Sequence, residues 1–415
     1  MKLLYLFLHV LTLAAILWGT ANLKLTAGNE SCIYQLNKAL KKNLMTTRRI
    51  KFINQNTDQI SFYQVLNNRV NNHFISKKLS PHANNFVIFK IIICLLLFFG
   101  LYSLIISNQF SGFSTLILVL LFGIASTFLG FNIGHDAVHG ALFNSSRLNK
   151  LFGYAFELIG MSSYAWYLKH NIVHHNNPNV RNADFDIEAG PILRLSPADK
   201  LLPHHYYQHL YAPFTYMLFS LSLVFYDDII VVFKTTRESI DAKVHPAKQK
   251  HILIISKLLY VFFMLILPLI LMDYHWWQIL LGFLLMHFSL SIILAFVLIP
   301  AHIFEHTQYP IRNETGKVNS NWAVHQMQTT IDYAVDSKLC NLLFGGLNIN
   351  VVHHLFPRIC HIHLIPISKI VKQTAQEFGI PYHQTSMWGA MVSHLKTLKI
   401  LGRNKDFDNC FDKTI

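Results

Sequence analysis

Four stretches of nearly unbroken apolar sequence divide this chain: residues 86–106, 113–133, 253–272 and 276–299. Each has about 20 residues, the length at which a helix crosses a hydrocarbon layer roughly 30 Å thick while satisfying its own backbone. Lys90 and Lys257 fall near span ends, where long aliphatic stems can carry the charge to the interface. The short links 107–112 and 273–275 contain no Lys or Arg. The other connections carry Arg48, Arg49, Lys51, Arg147, Lys150, Lys169, Arg181, Lys248 and Lys250. The positive-inside rule therefore pairs the spans into two hairpins whose tips face away from the cytosol. A fifth apolar stretch, 212–233, is cut by Asp227-Asp228 before it is long enough to span, and is expected to lie on the membrane surface as an interfacial helix.

This pattern predicts an all-α integral membrane protein with cytosolic segments at 45–85, 134–252 and 300–415 around the hairpins 86–133 and 253–299. Residues 1–44 form an apolar extension with two readings: an additional helix, or sequence upstream of a true start at Met45. A cleaved export signal at 3–19 would put Arg48, Arg49 and Lys51 outside, against the charge pattern. At 415 residues, 52% hydrophobic and only 13% charged, the chain is too apolar for an ordinary soluble protein. The net charge of +14 lies beside the spans, which favours anionic lipid headgroups or an acidic protein partner over nucleic acid. The five cysteines show no paired spacing, as expected of a reduced, intracellular protein.

Histidines carry the candidate chemistry. His135 and His139 are four apart, as are His170 and His174, with His175 adjacent, and His353-His354 follows far downstream. Imidazoles four apart share a helix face and can grip one ion from one side. Neutral imidazole suits iron, copper and zinc, and seven such nitrogens exceed the needs of one ion, which points to two metals. Even span parity brings all three clusters to the same side of the membrane. Asp136, Asp184 and Asp186 are candidate acceptors that fix imidazole tautomers. A membrane zinc protease fits less well, because Asp136 stands where His-Glu-x-x-His has its glutamate and the other pairs go unexplained. A metal transporter is weaker still, since the spans lack buried charges. His204, His205 and His209 among Tyr206, Tyr207 and Tyr211 read as an interfacial aromatic belt, and His306, His325, His361 and His363 as structural or interfacial histidines.

The runs GHDAVHG, HNIVHHNNPNVRNADFDIE and GGLNINVVHHLFPRICHIH resemble the three histidine boxes of the membrane fatty acid desaturases, most closely the bacterial acyl desaturases that share motifs with the front-end group. The resemblance spans about residues 50–388. It implies a four-helix membrane stalk under a cytosolic cap that holds two irons, with His302 in Ile299-Pro-Ala-His302 as an eighth imidazole. The family places His or Gln three residues before the final His pair; here that residue is Asn350, whose shorter arm suits ligation through a water or none.

The implied reaction is oxygen-dependent insertion of a cis double bond into a fatty acyl chain carried on lipid, coenzyme A or a carrier protein. A diiron hydroxylase of a lipid or alkane is the alternative. No GxGxxG fingerprint and no His-Pro-Gly-Gly haem signature occurs, so electrons are expected from a separate ferredoxin or cytochrome b5 type protein. The expected location is the bacterial inner membrane, ahead of the endoplasmic reticulum, with the site on the cytosolic face.

Overall fold

The computed structural model describes residue 52 and residues 57–234, 236–237, 240–241, 245–313 and 317–404. The extension 1–44, the alternative start at Met45 and the tail beyond 404 lie outside the described residues. Helix α1 (Thr57–Ser76) buries Phe62, Leu66, Val70 and Phe74, a stripe of every fourth residue that packs against the C-terminal part of the chain. Asn84 then caps α2 (Asn85–Ile105), its side chain accepting from the Val87 amide at 3.0 Å.

Helix α3 (Gly112–His139) is longer than the apolar stretch that predicts it. A π-helical turn at Gly130–Gly134 carries it without a break into His135 and His139, so the first histidine pair sits on the last turns of a span. The second cluster follows a short helix (Ser163–Trp166) capped by the Ser162 hydroxyl, through a π turn at Tyr167–Val173 and a tight 3₁₀ turn at His174–Asn176.

The stretch 212–233, expected as one interfacial helix, is two helices, α4 (Pro203–Tyr216) and α5 (Phe219–Phe233), bent by 72°. The bend meets the middle of a span further along the chain, described below. Helices α6 (Ala247–Leu271) and α7 (Trp276–Ala301) complete, among the described residues, four helices long and apolar enough to cross a membrane. Gly123 lets α3 and α7 approach closely: a Cβ there would stand 2.3 Å from the Met286 carbonyl oxygen. Both hairpin tips lie together, the Asn108 amide donating to the Leu271 carbonyl at 2.7 Å while its oxygen accepts from the Asp273 amide at 3.1 Å.

Lys90 and Lys257, expected near the interface, lie close to protein partners. Both find partners inside the protein: Lys257 Nζ pairs with Asp228 at 2.5 Å and donates to the Gly160 carbonyl, and Lys90 Nζ lies 3.2 Å from His361 Nε2. A buried ammonium is tolerated only with such partners.

Beyond the spans come α8 (Trp322–Thr329), α9 (Asn350–Leu355), α10 (Leu364–Glu377) and α11 (Met387–Leu401). A two-residue parallel pairing joins Asp332–Tyr333 to Gln384–Thr385. Asp332 Oδ1 accepts from the Val351 amide at 2.7 Å, which seats the first turn of α9. Tyr333 Oη donates to the Val297 carbonyl at 2.8 Å and ties this layer to α7.

Candidate metal centre

The three histidine clusters, separated by up to about half the chain, converge at one end of the span bundle. His135, His139, His170 and His353 form a buried quartet, and His174, His302 and His354 a buried trio; within each group the ligating atoms lie within 4.8 Å of one another. His175 stands between them, its Nε2 3.2 Å from His170 Nε2 and 3.0 Å from His353 Nε2, with its ring stacked on His354 at 4.2 Å. His135 Nε2 is 3.3 Å from His170 Nε2, and His174 Nε2 is 3.2 Å from His302 Nε2. All eight imidazoles named by sequence and resemblance are brought together.

Asn350 joins the trio: its amide nitrogen lies 2.8 Å from His302 Nε2. Placed one α-helical turn before His353-His354, it projects toward the same interior.

The far side of each ring decides which nitrogen faces inward. His174 Nδ1 donates to Asp184 at 3.0 Å, with Asp186 at 3.4 Å. His302 Nδ1 donates to the Thr329 carbonyl at 3.2 Å, and His354 Nδ1 to Gln326 Oε1 at 3.0 Å. Each contact occupies Nδ1 and turns Nε2 toward its neighbours. Asp136 lies 3.5 Å from His135 Nδ1 and accepts from both the backbone amide and Nδ1 of His361, at 3.0 and 2.8 Å. The three aspartates expected beside the histidines are all found there.

Electrostatics keep most of the cluster neutral. Burial, reinforced by repulsion among the rings, holds His170, His175, His353 and His354 well below the ordinary imidazole range. Burial and His174 do the same for His302. His174 goes the other way: burial opposes its charge, but Asp184 and Asp186 outweigh it. Buried nitrogens of His139 and His354 have no hydrogen-bond partner. Converging neutral lone pairs with unanswered nitrogens are a poor hydrogen-bonded core and a good donor set for cations. The group of nitrogens is large enough for two ions and is free of the glutamates that soluble diiron bundles use.

Several contributors escape the sequence reading. Gln326 and Thr329 come from α8, which carries no histidine box. His361, read as structural or interfacial, anchors Asp136, and its other nitrogen already faces the Lys90 ammonium. That cation makes Asp136, Cys360 and His361 a poor third metal group, although their ligating atoms also converge. His205, read as part of an interfacial belt, is buried and holds the 191–202 loop through the Pro191 carbonyl at 2.8 Å and the Leu202 amide at 3.1 Å; Tyr206 and Tyr207 beside it are exposed.

A cavity of about 550 Å³ opens beside the trio. Trp166, His170, His174, His302 and Asn350 line one part, and Tyr216, Phe219 and Leu298 another. Lys169 stands in its wall, paired with Asp186 at 3.1 Å and Asp227 at 3.7 Å. Burial disfavours its charge, but the two carboxylates hold its pKa above the ordinary lysine range.

A family model described as fatty acid desaturase matches residues 111–386. The sn-1 linoleoyl-lipid 6-desaturase of Synechocystis sp. is 29% identical over 87% of this chain and 99% of its own length. The acyl-lipid (8-3)-desaturase of Physcomitrium patens is 30% identical over 82% of this chain and 72% of its own. Acyl-lipid (8-3)-desaturase B of Dictyostelium discoideum is 31% identical over 84% and 77% respectively.

Proposed function

Because this chain belongs to the fatty acid desaturase family, we propose that it inserts a cis double bond into the acyl chain of a membrane lipid at two irons held by its clustered imidazoles. His135, His139, His170 and His353 are assigned to one ion and His174, His302 and His354 to the other, with His175 between them and Asn350 acting through a water. The observation that carries the reading is that His174 and His302 of the trio, with His170 of the quartet, line a mainly apolar cavity. Cavities of this size, apolar with a few polar groups, are the usual form of a lipid or ligand site.

Overall, one CH₂–CH₂ unit, dioxygen, two electrons and two protons give CH=CH and two waters. Bound iron supplies the activation of dioxygen that no side chain can provide. The protein's own residues hold and orient. Asp184, Gln326 and the Thr329 carbonyl fix three imidazoles with Nε2 inward. Burial excludes water and keeps His170, His175, His302, His353 and His354 neutral for ligation. The cavity wall presents an alkyl chain to the trio, and Trp166, tilted against His170 with ring centres 4.9 Å apart, closes the side nearest the quartet.

Electrons come from a separate ferredoxin or cytochrome b5 type protein, for which the basic connections around Arg147, Lys150, Lys248 and Lys250 suit an acidic partner. The same charges support a cytosolic site.

Expression in a host lacking the activity, followed by fatty acid profiling of total lipids, tests the reading. A new unsaturated acid is expected, lost in His174→Ala together with iron while the spans still assemble. A hydroxylated product, or full activity of His174→Ala, would refute it.

A further inference from the structure

Four polar side chains sit deep among the spans and take no part in the metal centre. His287 lies near the middle of α7, between Trp276 and Ala301. Its Nδ1 is 2.8 Å from Ser220 Oγ and its Nε2 3.0 Å from Tyr260 Oη. Ser291 Oγ donates to Ser220 Oγ at 2.7 Å and accepts from the Ser220 amide at 2.9 Å. All four residues are buried. Where no water can answer a polar group, a closed set of this kind holds its members at one position. Here it clamps the bend between α4 and α5 to the middle of a span.

That bend lies between two cavities. Phe219 and Ser222, on either side of the clamped Ser220 in sequence, line the cavity that begins at His174 and His302. Phe283 and Met286, beside His287, line a separate apolar cavity of about 320 Å³ toward the hairpin tips, among Thr115, Tyr274 and Gln278. The Phe283 ring packs on His287 at 4.6 Å, so the network fills the space between the two. From His302 back to His287, α7 rises by about 22 Å, which sets the scale of the channel above the barrier.

We propose that this bend, with Phe219 as its face and the Ser220–His287–Tyr260–Ser291 network as its backing, is the end-stop for the methyl end of the acyl chain and sets the longest chain accepted. The inference rests on the desaturase reading of the inner cavity and extends it to chain-length selection. An alkyl chain ending at Phe219 meets a mainly apolar wall. One carbon longer, it must displace the ring or press on the hydrogen-bonded network behind it. A hydrophobic wall of this kind discriminates one methylene by about 10- to 200-fold.

The test supplies acyl chains of graded length to cells expressing each variant and reads conversion at each length relative to the others. Phe219→Ala should raise relative conversion of the chains just beyond the wild-type limit by about tenfold, and Phe219→Trp should move the limit to shorter chains. His287→Leu, which keeps bulk and removes the clamp, should blur the upper limit even if the Phe219 variants assemble poorly. A merely structural role lowers conversion at every length alike. An unmoved length profile in active variants, or a uniform loss in all three, overturns the end-stop. A wild-type protein that yields no unsaturated product overturns the desaturase reading itself, a result distinct from both.

Discussion

Asp184 offers the sharpest test of how the protein supports the metal centre. Its carboxylate is wholly buried and accepts from three donors: His174 Nδ1 at 3.0 and 3.1 Å, the Asn179 amide at 2.9 Å and the Asp186 amide at 3.0 Å. Asp184→Ala strips all three. A buried donor left unpaired costs about 1–3 kcal/mol; allowing water to reach the half-buried Asp186 end, a net loss of about 2–5 kcal/mol is expected. The free rotation of His174 should weaken metal retention by about 10- to 100-fold, or about 1.4–2.7 kcal/mol. Asp184→Asn keeps the shape, but its NH₂ must face either the Asn179 or the Asp186 amide, so an intermediate loss is expected. The assay measures iron per chain after timed dialysis against a chelator, beside thermal unfolding of the same samples. If Asp184→Ala unfolds earlier yet holds iron as firmly as the wild type, Asp184 only braces the 179–186 loop and the orienting role is wrong.

Three further outcomes are expected. His361→Phe removes the Nδ1 hydrogen bond to Asp136, leaves the backbone amide's in place, and should cut turnover about tenfold with the spans intact; a wild-type rate would make His361 structural. Asn350→Ala should impair turnover more than iron loading, since its amide reaches His302 inside the trio, and an unchanged rate would show it to be a bystander. Burial pushes the Asp332 carboxyl up to about 7, against the lowering effect of hydrogen bonds from Tyr382 and the Val351 amide. Its folded pKa exceeds the ordinary 3.8, so its stabilising contribution is full below 3.8 and is lost as pH rises toward about 7. Unfolding of wild type measured against Asp332→Asn should therefore show a growing deficit from pH 4 to 8, and a flat difference would contradict the assignment.

What the sequence made legible follows from what lipid and metal demand locally. A bilayer requires long apolar runs, so all four spans could be read directly. Metal ligation from a helix requires imidazoles at fixed spacing, so the boxes stood out. His302 has no such spacing and entered only through family resemblance. The remaining parts depend on contacts between distant positions that leave no periodic trace. Asp136 and His361 meet across 225 residues, and Gln326 meets His354 from a helix without a box. Lys90 and Lys257 looked like interfacial cations because composition reports length from a span end and says nothing of a partner. The 212–233 stretch carries amphipathic composition either way; only Ser220 meeting Ser291 and His287 reveals that it bends inward.

The most direct test of the account is metal content of the detergent-purified chain, measured by mass spectrometry for iron, zinc, copper and manganese together. Two irons per chain are predicted, with iron falling in His174→Ala. One zinc per chain, or a full iron complement retained without His174, would contradict the diiron centre on which the proposed chemistry stands.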